Sequence, residues 1–318
     1  MIQVHVRIVK YLISITIFSI LPIYLSNAVA SNLADDQHKS TLVIAKVGDN
    51  PKKVYPQLTG IAEYLANRLK DQGITHSEVL VAENNQIMAS WLRSGKVDLV
   101  TETPFSAMYL QEQSSAKPVA ISWRKGKPFY HSVIFVRADS SINSIKDLLG
   151  KVIAFEDEGS TSAYFLPAST LLQRGYAMAR LGSVRETVTK GEINYIFSRE
   201  EINSTTWVHK GLVDAAALSN LDWNSEDAVP LAMKKDLKII FETNRVPRTV
   251  ELVSAKREPE FISRLQYELL NAHTNEQGKE SLYKYKKTSR LTKIDEETQT
   301  VLDKISMLMK QVKTELEL

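Results

Sequence analysis

The chain alternates between short β-rich runs and longer stretches in which apolar residues recur every three or four positions. Leu42-Val43-Ile44-Ala45-Lys46-Val47 is the first β-rich run and ends at Gly48. Leu58, Ile61, Ala62, Leu65 and Leu69 then share one face of a helix, predicted from about Pro56 to a stop at Gly73. Glu78-Val79-Leu80-Val81-Ala82 reads as a second strand, Ile87, Met88, Trp91 and Leu92 as a second amphipathic helix closed by Gly95, and Val97-Asp98-Leu99-Val100 as the start of a third strand. Residues 118–136 read as extended chain, interrupted by a basic loop around Gly126 and Pro128 whose charges are taken as solvated. A polar break from Arg137 to Asn143 precedes a short helix, Ile145 to Leu149, and the strand Lys151-Val152-Ile153-Ala154-Phe155. From Phe261 to Leu318 the pattern is helical and highly charged, with Leu265, Leu269, Leu270, Leu302, Ile305, Leu308 and Met309 marking the packed faces. Strand and helix in alternation argue for an α/β protein with largely parallel sheets.

The first thirty residues have a different character. Arg7 and Lys10 lead into the apolar run Tyr11 to Leu25, which gives way to Ser26-Asn27-Ala28-Val29-Ala30 and a polar stretch. This is the order of a secretory signal peptide, with cleavage expected after Ala30, and the run, broken by Pro22, is shorter than the ~20 apolar residues that cross a bilayer. An exported protein located in the periplasm is the expectation.

Composition narrows the function. With 318 residues, 40 Lys plus Arg and 37 Asp plus Glu, the net charge of +3 is too small for a nucleic-acid footprint. The absence of Cys excludes thiolate catalysis, Cys-ligated zinc, iron–sulfur clusters and a lipid-modified N-terminal Cys. The length suggests two domains, which must hold together without disulfides.

Two features carry candidate function. Trp91 to Val100 and Trp207 to Ala216 share the pattern Trp, apolar, two polar residues, Gly, any residue, Val, Asp. This fits any helix that ends at a Gly and enters a strand, and equally two lobes of similar build that face a shared cleft. The second feature is Glu156-Asp157-Glu158-Gly159-Ser160-Thr161-Ser162, between a strand and a helical pattern. Three hydroxyls with free first-turn N–H groups suit an anion, while Ser as an ordinary N-cap before Pro167 is the plainer alternative.

Gly150-Lys151, Phe155, Asp157, Ser160-Thr161-Ser162, Tyr164 and Pro167, in this order, resemble the periplasmic phosphate/phosphite/phosphonate-binding proteins of ABC importers. The resemblance covers nearly the whole chain after the leader. It implies a type 2 periplasmic-binding-protein-like fold, in which two α/β lobes, each a mainly parallel sheet flanked by helices, are joined by hinge strands and close on a small ligand. Lobe 1 is then expected over 41–136 plus 247–318 and lobe 2 over 137–246, with crossings near Val136 and Val246. It further implies Ser160, Thr161 and Ser162 as holders of the phosphorus oxyanion, a monomer, no catalysis, no cofactor and no metal, and a membrane ABC permease as partner.

The pattern is broken elsewhere. Glu102, in Thr101-Glu102-Thr103-Pro104-Phe105, stands where the family has an aromatic facing the ligand, and Ser198-Arg199-Glu200-Glu201 where it has a Ser-His pair. Glu102 suits an ammonium group of a zwitterionic ligand, and next to a phosphate it needs Arg199 or Arg248 as an offset; the plainer reading is an exposed loop carboxylate. Asn85, Glu102 and Thr103 from lobe 1, with Arg199 as a possible fork onto the oxyanion, complete the expected ligand site. These departures leave open a second role for the same fold, a ligand-sensing partner of a membrane receptor or sensor kinase, for a ligand that need not contain phosphorus. The six His are scattered, and no metal-binding, P-loop or hydrolase motif is present.

Overall fold

In the computed structural model, residues 40–48 and 50–315 are described. The expected leader and its cleavage after Ala30 lie outside them. Strand β1 (Thr41–Val47) sends Leu42 and Ile44 to one face of a sheet and Val43 and Ala45 to the other, and both faces are covered by apolar side chains. A strand buried on both sides reads as a continuous apolar run, which is why Leu42 to Val47 shows no alternation. Helix α1 (Pro51–Arg68) covers one face with Leu58, Ile61, Ala62 and Leu65. It begins ahead of the Pro56 start expected from apolar spacing, because the Asn50 side chain caps the Lys53 N–H at 3.2 Å and Pro51 occupies the first turn. On the other face, α2 (Asn85–Ser94) starts at the Asn84 cap and stops at Gly95 in the left-handed conformation, φ 78°.

Two six-stranded mixed sheets result. The first runs β14-β4-β13-β3-β1-β2, with β2 (His76–Ala82), β3 (Leu99–Glu102), β4 (Lys117–Arg124), β13 (Val250–Val253) and β14 (Thr288–Thr292). The second runs β11-β6-β10-β7-β9-β8, with β6 (Ser132–Arg137), β7 (Val152–Phe155), β8 (Met178–Arg180), β9 (Ile193–Phe197), β10 (Ala215–Ser219) and β11 (Leu237–Glu242). Each has a parallel core, β3-β1-β2 and β10-β7-β9, beside an antiparallel strand, β13 and β6 respectively.

Between the sheets the chain passes through a two-stranded antiparallel pair, β5 (Phe129–Tyr130) with β12 (Val246–Pro247). The first crossing therefore precedes the one expected near Val136. Residues 132–136, assigned from the sequence to lobe 1, pair with β10 and β11 in the second sheet. Ser132 to Val136 is buried throughout, so its pattern is equally suited to either sheet. The C-terminal stretch expected to be helical is interrupted by β14, between α8 (Glu276–Lys284) and α9 (Glu296–Glu315).

The repeated sequence pattern performs the same task in both lobes. The Asp98 carboxylate accepts the Val43 N–H at 2.8 Å, and Asp214 accepts the Val152 N–H at 2.9 Å, so each Asp ties its own strand entry to the start of the central parallel strand. Asp98 also holds the Arg257 guanidinium through Nε at 2.6 Å and Nη2 at 3.1 Å. Asp214 has only Lys151, at 3.9 Å.

The lobes also share a core. Leu302, Ile305, Leu308, Met309 and Val312 of α9 cluster with Phe105 and Met108 of α3 (Pro104–Ser114) in the first lobe. Phe165, Leu166 and Leu172 of the second lobe, and the hinge residues Tyr130 and Val246, complete this cluster.

Replacing Asp98 removes a buried acid that holds both the Val43 N–H and the Arg257 guanidinium, so Asp98→Ala is expected to cost about 3–5 kcal/mol in urea unfolding. Asp214→Ala, at the half-exposed equivalent, should cost about 1–2 kcal/mol. Equal losses would show that the Arg257 pair is not what separates the two positions.

Candidate functional site

The Ser-Thr-Ser segment follows β7 and opens a helix in an unusual way. Thr161–Phe165 forms a π-helical turn, with the Phe165 N–H donating to the Ser160 carbonyl at 2.9 Å, before α4 (Leu166–Gln173) continues as a regular helix. The three hydroxyls have different surroundings. Ser160 Oγ accepts the Ala163 N–H at 3.1 Å, which is an N-cap. Thr161 Oγ1 accepts the Phe105 N–H at 2.9 Å and so satisfies an amide in the first turn of α3, across the cleft. Ser162 is buried beside the hydroxyl of Tyr130 at the hinge.

The lobes are closed on each other around this turn. Phe105 stacks on Phe165 with ring centroids 4.4 Å apart, and Ser106 Oγ donates to the Gly159 carbonyl at 3.1 Å. Asn85 Nδ2 in turn donates to Ser106 Oγ at 3.0 Å, and Asn85 Oδ1 is buried without a partner. Asn85 therefore stands at the interlobe contact, as a support of Ser106. Thr103 takes the N-cap position of α3 but its side chain makes no cap bond, because the amide of Phe105 is given to Thr161.

Glu102, expected to face a ligand ammonium, is committed to its own lobe. Its carboxylate accepts the Val47 N–H at 2.8 Å and pairs with Lys46 at 3.5 Å, and it is 5% exposed. Arg199 sits in the turn after β9 with φ 75°, exposed, its N–H donating to the Glu156 carbonyl at 2.8 Å. Burial holds the nearby Asp157 carboxyl above the usual carboxylate range, against the Gly159 N–H and, more weakly, the charges of Lys46 and Arg199.

What gathers at the hinge instead is a set of donors that the sequence pattern did not mark as a group. Arg124 is at the end of β4 and Arg248 just after β12, with its guanidinium 4.5 Å from the centroid of the Tyr130 ring. Arg124 is pushed down to about 10, first by burial and then by the positive charge of Arg248, and remains a cation at neutral pH. Among the described residues neither guanidinium has a carboxylate within ion-pair distance. Arg124 Nε, Arg248 Nε, Tyr130 OH, Ser132 Oγ and Thr249 Oγ1 are all buried without a hydrogen-bond partner. A buried donor left unpaired costs about 1–3 kcal/mol, more when charged, and every one of these groups can donate. Such a set matches a ligand that only accepts, and one that carries negative charge.

Arg124 belongs to the basic loop that was expected to be solvated. The hinge pair turns it inward, and only the pairing of β5 with β12 brings Tyr130 next to Arg248. Neither fact has a local signature. Of this set the sequence analysis marks Arg248, as an offset to Glu102 on a par with Arg199.

Comparison with known proteins agrees with this architecture. The family described as "ABC transporter, phosphonate, periplasmic substrate-binding protein" matches residues 48–298. The phosphate-import protein PhnD of Mycolicibacterium smegmatis is 27% identical over 208 residues, a match that spans 63% of this chain and 63% of that protein. Among solved structures, XAC2383 from Xanthomonas citri is 34% identical and superposes with a TM-score of 0.84 over 86% of this chain and 99% of that one. It has been seen bound to chloride ion and bound to ATP. PhnD1 from Prochlorococcus marinus, in complex with methylphosphonate, shares the fold at 18% identity, with a TM-score of 0.65 over 86% of this chain and 99% of that one. The two-lobe α/β architecture is thus the type 2 periplasmic-binding-protein fold, and the chain belongs to the phosphonate-binding family of periplasmic substrate-binding proteins of ABC transporters.

Proposed function

We propose that this protein captures a small oxyanion of the phosphate, phosphite or phosphonate class between its lobes in the periplasm and delivers it to an ABC permease. The observation that carries this reading is the pair of enclosed guanidiniums, Arg124 and Arg248, whose Nε atoms are unpartnered beside the unpartnered Tyr130 hydroxyl. Guanidiniums donate in a fork that suits the oxygens of a phosphoryl group, and hydroxyls add donors at other angles. The buried Ser162 contributes a hydroxyl from the second lobe, and the π-helical turn contributes its free N–H groups.

The relatives support the class of ligand. One is named a phosphate importer, and the more similar structure has been seen with chloride and with ATP, both anions. Closure is then the working event. An anion that touches Arg124 from the first lobe and Ser162 from the second stabilises the closed state by its extra contacts, and the permease reads that state.

The experiment is a thermal-shift series on the leader-free protein with phosphate, phosphite, methylphosphonate, ATP and, as comparison, amino and carboxylic acids. A ligand at about 100 times its Kd adds about 2.7 kcal/mol, which raises Tm by about 5–10 °C at this size. Stabilisation by a carboxylic or amino acid and by no phosphorus oxyanion would overturn the phosphorus assignment.

Two variants locate the site. Arg124→Ala is expected to weaken the stabilising anion by about 30-fold or more, since it removes one of two buried charges from the ligand. Tyr130→Phe should cost the ligand-free protein no more than about 1 kcal/mol, because its hydroxyl lies near Thr161 and Ser162 without a well-formed hydrogen bond, while it weakens the anion by about tenfold. Isothermal calorimetry and urea unfolding read the two effects separately.

A further inference from the structure

Two segments that pair at one edge of the first sheet carry an unbalanced charge. Residues 117–128 and 281–293 contain nine Lys or Arg and no Asp or Glu, in a chain whose net charge is only +3. The pairing of β14 with β4 sets them side by side, with Thr288 opposite Arg124. The Lys125 N–H donates to the Lys287 carbonyl at 2.8 Å, and Ser289 Oγ donates to the Trp123 carbonyl at 3.2 Å. Arg290 lies over the Trp123 ring, 3.8 Å from its centroid, and the Lys287 N–H donates to the carbonyl of Tyr283, a residue 66% exposed. Lys125, Lys127, Lys287 and Arg290 are exposed, and among the described residues none has a carboxylate within ion-pair distance. The neighbouring acids along the chain are engaged: Glu280 holds Lys284 at 2.7 Å, and Asp295 accepts the Thr298 N–H at 2.8 Å.

The backbone here is unusual as well. Among the described residues, five that are not glycine have φ in the left-handed region, and three of them are Lys125, at 50°, and Lys286 and Lys287, at 56° each. Such backbone is disfavoured for a residue with a Cβ and persists where surrounding contacts impose it, as the paired turns do here. Gly126, at φ 72° between Lys125 and Lys127, has open space where a Cβ would stand, so this turn is a projecting tip. Two lysine-bearing turns and an arginine on an edge strand thus present single charges on flexible stems, beside the half-buried Trp123 and the exposed Tyr283. Arg124 instead buries its Nε at the hinge, so this patch and the anion site are separate surfaces.

We propose that this patch rests on the anionic headgroups of a phospholipid bilayer and holds the protein at the membrane surface. The chemistry favours lipid over a protein partner. Lysine is depleted in protein–protein interfaces, where a flexible ammonium is costly to desolvate and to order. A bilayer demands neither, because its headgroups are laterally mobile and separate cations find phosphates while staying hydrated. Trp and Tyr, each an apolar ring with a polar tip, suit the headgroup level. All the residues named belong to the first lobe, so the contact leaves the second lobe free to move against it.

Co-sedimentation of the leader-free protein with vesicles tests this. Binding is expected to phosphatidylcholine vesicles containing about one-third phosphatidylglycerol and not to phosphatidylcholine alone, and it should weaken steeply between about 20 mM and about 300 mM salt. Each Lys or Arg at an anionic surface is worth about fivefold in partition, so Lys125→Asn, Lys127→Gln, Lys287→Asn and Arg290→Gln together should lower it by about 100-fold or more. Asn is chosen for the two left-handed positions, which it tolerates. A control with the same loss of charge, Lys52→Gln, Lys53→Gln, Lys235→Gln and Lys304→Gln, takes exposed lysines from α1, α9 and the second lobe and should stay within about tenfold of wild type. Equal losses in the two variants would assign the attraction to net charge and overturn the patch. Acetylation read by mass spectrometry maps the contact on the wild type: anionic vesicles should protect Lys125, Lys127 and Lys287 and leave the four control lysines reactive, and the reverse overturns the proposal. So does a failure to bind protein-free anionic vesicles, including the case in which only protein-containing membranes retain the chain, which would point to an acidic protein partner.

Discussion

Two partly buried guanidiniums at the hinge, with no carboxylate within ion-pair distance among the described residues, are the constraint on which the rest of this protein depends. In water each would be solvated; at the junction of two lobes each must find acceptors or remain uncompensated. The fold supplies donors in abundance there, and Asp222, the acid whose charge reaches Arg124 and Tyr130, stays beyond ion-pair distance and accepts the Ser219 hydroxyl. Glu102 is bound to Lys46, and Glu251 is surrounded by hydroxyls beneath the sheet. The anion proposed above is the kind of ligand that would resolve the imbalance, and a chain of low net charge can carry such a locally cationic site.

Closure is built from short-range contacts at one place. The π-helical turn of the second lobe meets the first turn of α3 in the first lobe, and Thr161 supplies the hydrogen bond that Thr103 does not. The Phe105–Phe165 stack removes water beside it. The Ser-Thr-Ser segment thus divides its work. Ser160 caps its own helix, Thr161 joins the lobes, and Ser162 is the hydroxyl placed beside the hinge tyrosine.

The lobes were legible in the sequence because their signals are local. Apolar spacing marks α1, the Gly95 stop marks the end of α2, and the repeated Trp-to-Asp pattern marks two strands with equivalent ties at Asp98 and Asp214. The strand Ser132 to Val136 was placed in the wrong sheet since a run buried on both faces carries no information about its neighbours. The charged groups of the cleft were harder still. Arg124 and Arg248 lie far apart in sequence and come together only because β4 pairs with β13 and β5 with β12. Arg199, a better candidate by proximity to the family pattern, is carried outward by its left-handed turn.

Helix α9 gives the two lobes something beyond a pair of hinge strands. Its apolar face is continuous with α3 on one side and with α4 and Val246 on the other, so part of the interlobe contact is oily rather than polar. Separating the lobes along that side would bring apolar area into water at about 25 cal/mol per Å². The Phe105–Phe165 stack belongs to the same apolar cluster and would be exposed with it. The contact between the lobes is thus of two kinds, an apolar one along α9 and a polar one at Asn85, Ser106 and Gly159, and the apolar one sets the larger cost on their separation.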